Sequence, residues 1–200
     1  MKLLETIRYE QGEFSNLRFH QNRMNNSRKV LFNCTDEIDL ISILRKSSNN
    51  IFDKELYKCR VVYDTKVMKV EYIPYQITHI NSLKLVDCDE IEYDHKYFDR
   101  NQINDLLTQK DEADDIIIVK NDLITDTSFA NLLFYNGIHW VTPSFPLLKG
   151  TQRSHLLEKE LIITANIQPE DLVSFKMIRL INAMLRFEDE VDVNIGNVHR

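Results

Sequence analysis

Hydrophobic and polar positions in the first half of the chain predict a mixture of strands and helices. Residues Leu3–Arg8 form a β-rich run, which a polar turn around Gly12 closes. Apolar positions at loosely helical spacing then predict a helix from Asn16, a residue that can cap it, to about Phe32. A second helix is predicted over 37–46. Three β-rich runs come next, at residues 57–63, 67–72 and 78–86.

The second half alternates between the two patterns after an acidic, turn-like segment at 88–94, where we place a domain boundary. Helices are predicted over 101–109 and 151–161, and strands over 116–119, 132–135, 139–141 and 178–181. The pair Asn136-Gly137 is typical of a tight hairpin turn between two of these strands. The pattern predicts an α+β (mixed α/β) fold with a small α/β N-terminal domain, 1–92, and a larger C-terminal domain, 93–200.

Composition narrows the possible functions. The net charge of -6 and the pI near 5.5 argue against a nucleic-acid backbone as ligand, which needs a dense basic surface. No apolar run reaches the roughly 20 residues of a membrane span, and the acidic Glu5 argues against a signal peptide at the start. Three cysteines at spacings that fit no zinc motif indicate reduced thiols and a cytoplasmic protein, with no metal expected.

Residue chemistry alone offers four candidates, and each also has an ordinary explanation. Lys96 lies between an acidic segment and a helix start, where a lysine is usually a solvated charge. Gly150 opens a predicted helix whose first N–H groups could hold a phosphate, although most such glycines only make turns. Arg23 could bind a ligand or face solvent, and Asp126 could contact a cofactor or cap a turn.

Four segments, in order, resemble the class IV aminotransferase family. The first comprises residues 4–8 (LETIR), Gly12, residues 20–23 (HQNR) and Ser27, similar to E-T-I-R followed by H-x-x-R-(x)3-S. The second is 95–100 (HKYFDR), similar to the segment of the cofactor-binding lysine. The third is 124–134 (ITDTSFANLLF), similar to T-E-x-x-x-x-N-(L/I)-F. The fourth is Thr142-Pro143 with 147–153 (LLKGTQR), similar to T-P followed by L-x-G-(I/T)-x-R.

The resemblance implies a two-domain, fold-type IV enzyme whose C-terminal domain binds pyridoxal 5'-phosphate (PLP). Lys96 would bind PLP covalently and move a proton at the substrate α-carbon. Asp126 stands where the family has a glutamate that pairs with the pyridinium nitrogen. The PLP phosphate would be held by Arg23, by the backbone N–H groups of Thr151 and Gln152, and by Asn182.

The resemblance leaves two candidate reactions. Arg100, four residues after Lys96, resembles the K-x-x-N-R pattern of 4-amino-4-deoxychorismate lyase, which forms 4-aminobenzoate and pyruvate for folate synthesis. The guanidinium could meet a substrate carboxylate, or it could pair with Asp94 or Asp99. The alternative is an aminotransferase acting on a branched-chain-like amino acid with 2-oxoglutarate. A non-catalytic descendant that binds a ligand or partner is the third hypothesis.

The chain also departs from the family pattern. Family members usually carry further residues before E-T-I-R, so the small domain is expected to be truncated at its N-terminal end. D-amino-acid aminotransferases have an arginine-glycine pair where Asp64 and Thr65 stand here. Arg60 could bind the substrate carboxylate instead, or face solvent. The resemblance further implies a homodimer, a small anionic substrate, and aminodeoxychorismate synthase as functional partner.

Overall fold

The structure, a computed structural model, describes residues 1–48 and 55–200. These residues form two compact units. The first unit comprises Met1–Ile77 and His95–Asp99, and the second comprises Thr78–Asp94 and Arg100–Arg200. The units divide the chain differently from the predicted domain ranges, because residues 78–92 cluster with the second unit and 95–99 with the first. The division into domains at residue 92 stays a prediction.

Within the described residues, the first unit is a four-stranded antiparallel sheet with two helices. Its elements are β1 (Leu3–Glu10), β2 (Glu13–Phe14), α1 (Leu17–Phe32), α2 (Leu40–Ser47), β3 (Leu56–Tyr63) and β4 (Val67–Pro74). The strand order is β2-β1-β3-β4. Apolar residues of β1, both helices and β3 form the core, including Leu3, Ile7, Met24, Leu44 and Val61. Packing of this apolar surface stabilises short elements that would be marginal alone.

Residues 96–98 join this sheet beside the start of β1. The N–H of Leu4 donates to the carbonyl of Lys96 at 3.0 Å, and the N–H of Phe98 donates to the carbonyl of Lys2 at 3.0 Å. Leu3 and Tyr97 form an antiparallel bridge between them. The backbone that carries Lys96 is therefore held by the first strand of the chain.

The second unit is built around a nine-stranded mixed sheet. Its elements are β5 (Leu83–Asp87), α3 (Asn101–Leu107), β6 (Asp115–Lys120), β7 (Leu123–Thr127), β8 (Asn131–Tyr135), β9 (Trp140–Pro143), α4 (Thr151–Glu158), β10 (Ile163–Ala165), β11 (Met177–Ile181), β12 (Asp192–Asn194) and β13 (Val198–His199). The main path runs β10-β9-β8-β7-β6-β5-β13, and β11 pairs with β8 and β12. The strand pairs β5–β6, β9–β10 and β5–β13 are parallel.

Several element predictions match the structure, and others need correction. The helix expected from Asn16 to Phe32 is α1, although Asn16 has a left-handed backbone and its side chain makes no capping hydrogen bond. The predicted strand over 78–86 is confined to β5, because its first residues make no ladder. The predicted second helix starts later, at Leu40, where the Asp39 carboxylate accepts from the Ser42 N–H.

A membrane-spanning helix is not found: across residues 1–48 and 55–200, every helix falls short of the length and apolar character that a bilayer crossing requires.

Candidate functional site

Arg23 and Glu5 form a two-pronged ion pair in the first unit. The Nε of Arg23 donates to Oε1 of Glu5 at 2.9 Å, and its Nη2 donates to Oε2 at 2.5 Å. The Glu5 side chain is fully buried, whereas 15% of the Arg23 side chain is exposed. The solvent-facing part of this pair is therefore the guanidinium.

His20 completes the group around the buried carboxylate. Its Nδ1 lies 2.6 Å from Oε2 of Glu5. Burial alone would raise the pKa of Glu5, but the charge of Arg23 and the hydrogen bond from His20 outweigh it and lower that pKa to about 2. Burial lowers the pKa of His20 from its ordinary value. Glu5 is therefore ionised and His20 neutral at pH 7, so the proton between them resides on Nδ1.

Lys96 lies beside this group. Its side chain is partly buried, and its positive charge is among the causes that lower the pKa of His20. The preceding residue, His95, is buried and contacts the hydroxyl of Ser27 through Nδ1 at 3.0 Å. The lysine segment therefore contacts α1 through the hydrogen bond between Ser27 and His95. The expected role of Lys96 stays a prediction.

Asp126 is the central ionisable group of the second unit. It lies on β7 and is 5% exposed. Its Oδ1 accepts from Nδ2 of Asn131 at 2.7 Å, and its Oδ2 accepts from the N–H of Leu148 at 2.9 Å. Burial raises the pKa of Asp126 to about 6, although both hydrogen bonds and the charge of Arg153 act in the opposite direction. The carboxylate is thus mostly ionised at pH 7.

Asn131 connects Asp126 with the start of α4. Its Nδ2 also donates to the carbonyl of Leu148 at 2.9 Å. A β-carbon at Gly150 would overlap Oδ1 of Asn131, so only glycine allows this approach. The next two residues, Thr151 and Gln152, are buried in the first turn of α4. A carboxylate and a helix N-terminus, which attracts anions, therefore both adjoin one amide side chain.

Arg153 anchors the same turn. Its Nε donates to Oγ1 of Thr142 at 3.2 Å and its Nη2 donates to the carbonyl of Pro143 at 2.8 Å. Only 5% of the residue is exposed. Its charge opposes the effect of burial on Asp126, so it helps to keep that carboxylate ionised.

Arg100 reaches the end of β7. Its Nη2 donates to the carbonyl of Ser128 at 2.5 Å, two residues after Asp126. This hydrogen bond places the guanidinium at the strand that carries the buried carboxylate. Arg60 lies in the first unit. Its Nη1 is 3.9 Å from Oε2 of Glu71, and its Cζ is 5.8 Å from the ring centroid of Phe98, two residues after Lys96.

Asn182 closes a turn. Its Oδ1 accepts from the N–H groups of Met184 and Leu185 at 2.7 and 3.0 Å, and its Nδ2 donates to the carbonyl of Phe129 at 3.3 Å. These bonds occupy the side-chain oxygen. A phosphate contact from this residue stays a prediction and would depend on the second hydrogen of Nδ2.

Sequence reasoning gave no role to four of these residues: Glu5, His20, Asn131 and Arg153. All four stand in the segments that resemble the family pattern, and this resemblance is the signal that could have found them. Each acts on another side chain, and such contacts depend on which elements pack together. Spacing along the chain does not give that information.

The chain is similar to known proteins over most of its length. The family model described as amino-transferase class IV matches residues 2–187. A curated protein of Haemophilus influenzae, described as uncharacterized, is 37% identical over 184 residues, which are 91% of this chain and 97% of that protein.

Two solved structures are similar as well. A protein of Haemophilus somnus 129PT, provisionally named 4-amino-4-deoxychorismate lyase, is 38% identical with a TM-score of 0.88, covering 93% of this chain and 97% of its own. A protein of Mesorhizobium loti, provisionally named amino-acid aminotransferase, has a TM-score of 0.80 at 19% identity, covering 96% and 98%. At that identity the second likeness shows the fold alone.

Proposed function

Because the chain belongs to the amino-transferase class IV family, we propose that it is a PLP-dependent lyase that converts 4-amino-4-deoxychorismate to 4-aminobenzoate and pyruvate. The match to this family confirms the sequence-based predictions of family, mixed α/β fold and enzymatic function. The substrate and the residue roles are part of the proposal.

PLP is the cofactor, and the side chains present fit its chemical groups. Its aldehyde requires an amine, its phosphate requires cations and N–H donors, and its ring nitrogen requires a carboxylate. The second unit supplies a buried carboxylate at Asp126 and the helix start after Gly150, where a larger residue would overlap Asn131. The first unit supplies an amine at Lys96 and the partly exposed guanidinium of Arg23.

The first unit contributes attachment and proton transfer in this proposal. When bound, PLP supplies an electron sink for the charge that develops at the substrate α-carbon. Lys96 is the residue that attaches PLP and then, as a free amine, takes the proton from the α-carbon of the substrate. Arg23 binds the phosphate through its partly exposed guanidinium.

The second unit contributes charge and anion binding. Asp126 is mostly ionised at pH 7, so it can hold a proton on a ring nitrogen as a charged hydrogen bond. The N–H groups of Thr151 and Gln152 would bind the phosphate, because both residues lie in the first turn of α4. Asn182 would add a donor from the turn after β11.

The position of Arg100 is the observation that favours the lyase over the aminotransferase. Aminodeoxychorismate has two carboxylates, and Arg100 is held by Ser128 at the end of the strand that bears Asp126. A guanidinium can bind a carboxylate with two parallel hydrogen bonds. Arg60 is the candidate for the other carboxylate, since it lies at the ring of Phe98, two residues from Lys96. The 38% identity to the provisionally named lyase supports the same choice.

The reaction balances without a further co-reactant. Lys96 removes the proton from the amine-bearing ring carbon, the bond between the ring and the enolpyruvyl oxygen breaks, and the ring becomes aromatic. The departing enolpyruvate takes up a proton and becomes pyruvate. The amine remains on the ring in 4-aminobenzoate.

The decisive experiment supplies aminodeoxychorismate to the PLP-loaded protein. We expect equal amounts of 4-aminobenzoate, followed by its fluorescence, and pyruvate, followed with lactate dehydrogenase. Lys96→Ala should abolish both products, and Arg100→Gln should raise KM strongly, whereas Arg18→Gln, at an exposed position, should change neither. A PLP-loaded protein that makes no 4-aminobenzoate but transfers amino groups to 2-oxoglutarate would establish the aminotransferase instead.

We also propose a homodimer and a functional link to aminodeoxychorismate synthase, which makes the substrate. The homodimer is what the resemblance to the class IV aminotransferase family implies. Light scattering coupled to size-exclusion chromatography measures the mass directly. A mass of one chain at micromolar concentration would refute the dimer.

A further inference from the structure

We propose that Glu5 is a positioning residue for phosphate binding: it fixes the orientation of the Arg23 guanidinium, and His20 in turn fixes Glu5. The inference rests on the proposed function, because it takes the PLP phosphate as the anion that Arg23 binds. The resemblance to the family assigned no role to Glu5 or His20.

The geometry of the ion pair fixes the plane of the guanidinium. Arg23 uses Nε and Nη2, the two nitrogens of one edge, for the two oxygens of Glu5 at 2.9 and 2.5 Å. A planar group held at two points cannot rotate about its long axis. The opposite edge of the guanidinium, which carries Nη1, therefore has a fixed orientation. Because Glu5 is fully buried and Arg23 is not, an anion from solvent approaches the arginine.

Glu5 is itself held within a paired strand of the first unit. It lies in the middle of β1, where it pairs with Val61 of β3. The residue before it, Leu4, donates the hydrogen bond that holds the backbone of Lys96. Two successive residues of one strand therefore position the arginine and the lysine. A shift of this strand would move both groups together.

His20 removes the remaining freedom of the carboxylate. Its Nδ1 lies 2.6 Å from Oε2, the oxygen that also accepts from Nη2 of Arg23. The imidazole is fully buried, and it is neutral at pH 7, so it donates a hydrogen bond without adding charge. The carboxylate thus has donors on both oxygens and one orientation. Its contribution to phosphate binding is orientation, since its negative charge opposes an anion.

The test separates the phosphate from the rest of the cofactor. Dissociation constants for PLP and for pyridoxal, which lacks the phosphate, are measured by absorbance or calorimetry on the wild type and on Glu5→Gln. We expect Glu5→Gln to reduce the preference for PLP over pyridoxal by about tenfold, the effect of losing one charged hydrogen bond. Pyridoxal affinity should stay unchanged, and Lys96 is common to both ligands.

Asp36→Asn is the matched control. Asp36 also accepts from an α1 arginine, because Nη2 of Arg28 donates to its Oδ2 at 2.8 Å. The Asp36→Asn variant removes the carboxylate partner of an arginine on the same helix, so it reports any general loosening of α1. We expect this variant to keep the wild-type preference for PLP over pyridoxal. An unchanged preference in Glu5→Gln, or an equal loss in Asp36→Asn, overturns the inference.

A second pair of variants decides the matter if Glu5→Gln does not fold. His20→Asn keeps an N–H donor close to the position of Nδ1, whereas His20→Leu removes it. We expect His20→Asn to retain the preference for PLP and His20→Leu to lose it several-fold. Equal preferences in the two variants overturn the inference. A wild type that binds PLP no better than pyridoxal would reject the phosphate site of the proposed function itself.

Discussion

The side chain of Asn131 occupies the space that a β-carbon on residue 150 would need, while its amide nitrogen binds Asp126 at 2.7 Å. One amide therefore connects the buried carboxylate of β7 with the first turn of α4. Gly150 has an ordinary backbone conformation, with φ of -64°, so glycine is required for space and not for backbone freedom.

Gly150→Ala should therefore disturb two groups at once. The added methyl displaces Asn131, and Asp126 loses a hydrogen bond while it remains buried. We expect the free energy of unfolding to fall by about 1–3 kcal/mol and PLP affinity to drop with it. Urea unfolding and PLP titration measure the two effects. Gly196→Ala is the control, because a β-carbon there lies 3.2 Å from Oδ1 of Asn194, near the chain end. Equal, small effects in both variants would contradict the prediction.

The protonation of Asp126 should appear in the pH dependence of PLP binding. Burial raises the pKa of Asp126 to about 6, so the carboxylate is protonated below that pH and ionised above it. Only the ionised form can hold a positive ring nitrogen. We expect the ratio of PLP affinities, wild type over Asp126→Asn, to rise as pH increases through about 6 and then to level. A ratio that is constant between pH 5 and 8 would show that this carboxylate does not face the cofactor.

Glu5 should contribute acid-sensitive stability to the first unit. Its pKa is lowered to about 2, below the ordinary 4.5. The contribution is complete above 4.5 and disappears as pH falls towards 2, because the unfolded chain takes up the proton first. We expect the stability difference between wild type and Glu5→Gln to shrink by about 2 kcal/mol between pH 6 and pH 3. Chemical unfolding at both pH values measures it.

Glu13→Gln serves as the control for that series, because Glu13 is exposed in β2. Its stability difference from the wild type should stay small at both pH values. A pH-independent difference for Glu5→Gln would mean that the carboxylate gains nothing from Arg23 and His20.

Asp115 should have the opposite effect on stability. Burial raises its pKa, and although Thr127 and Ser128 lie nearby, neither oxygen makes a hydrogen bond of standard length within residues 1–48 and 55–200. An acid with a raised pKa costs stability as pH rises above its ordinary 3.8. We expect Asp115→Asn to raise the free energy of unfolding by about 1 kcal/mol at pH 8 and by less at pH 4. Asp122→Asn, at an exposed turn, should change neither value. A destabilised Asp115→Asn at pH 8 would refute the prediction.

Elements with a strong local signal were predictable from the sequence. The helix α1 has sixteen residues, and β6 contains the apolar run 116–119, all of which is buried. The strand β7, which carries Asp126, was not predicted, because Thr125, Asp126 and Thr127 favour a turn locally. It is a strand because β6 and β8 pair with it on both sides. Tertiary pairing, which no local pattern encodes, decides this element.

The sequence named candidate site residues, but it did not predict the contacts that those residues make. Family resemblance singled out Arg23 and Asp126 as ligands of a cofactor. It did not reveal that Arg23 already has a carboxylate partner 18 residues earlier in the chain. That contact forms because α1 packs on β1, and the packing depends on apolar residues such as Ile7 and Met24. The family resemblance names candidate ligand-binding residues, whereas their contacts with other side chains require the fold.

The hydrogen bonds between residues 2–4 and 96–98 join segments that are about 90 residues apart in the chain. Pairing across such a separation is slow and cannot begin on the ribosome until the later segment has emerged. We therefore expect Lys96 to take its place after the local helices and hairpins of the first unit. Exposure of this amine to aldehydes before that moment would modify it without any control by the surrounding protein.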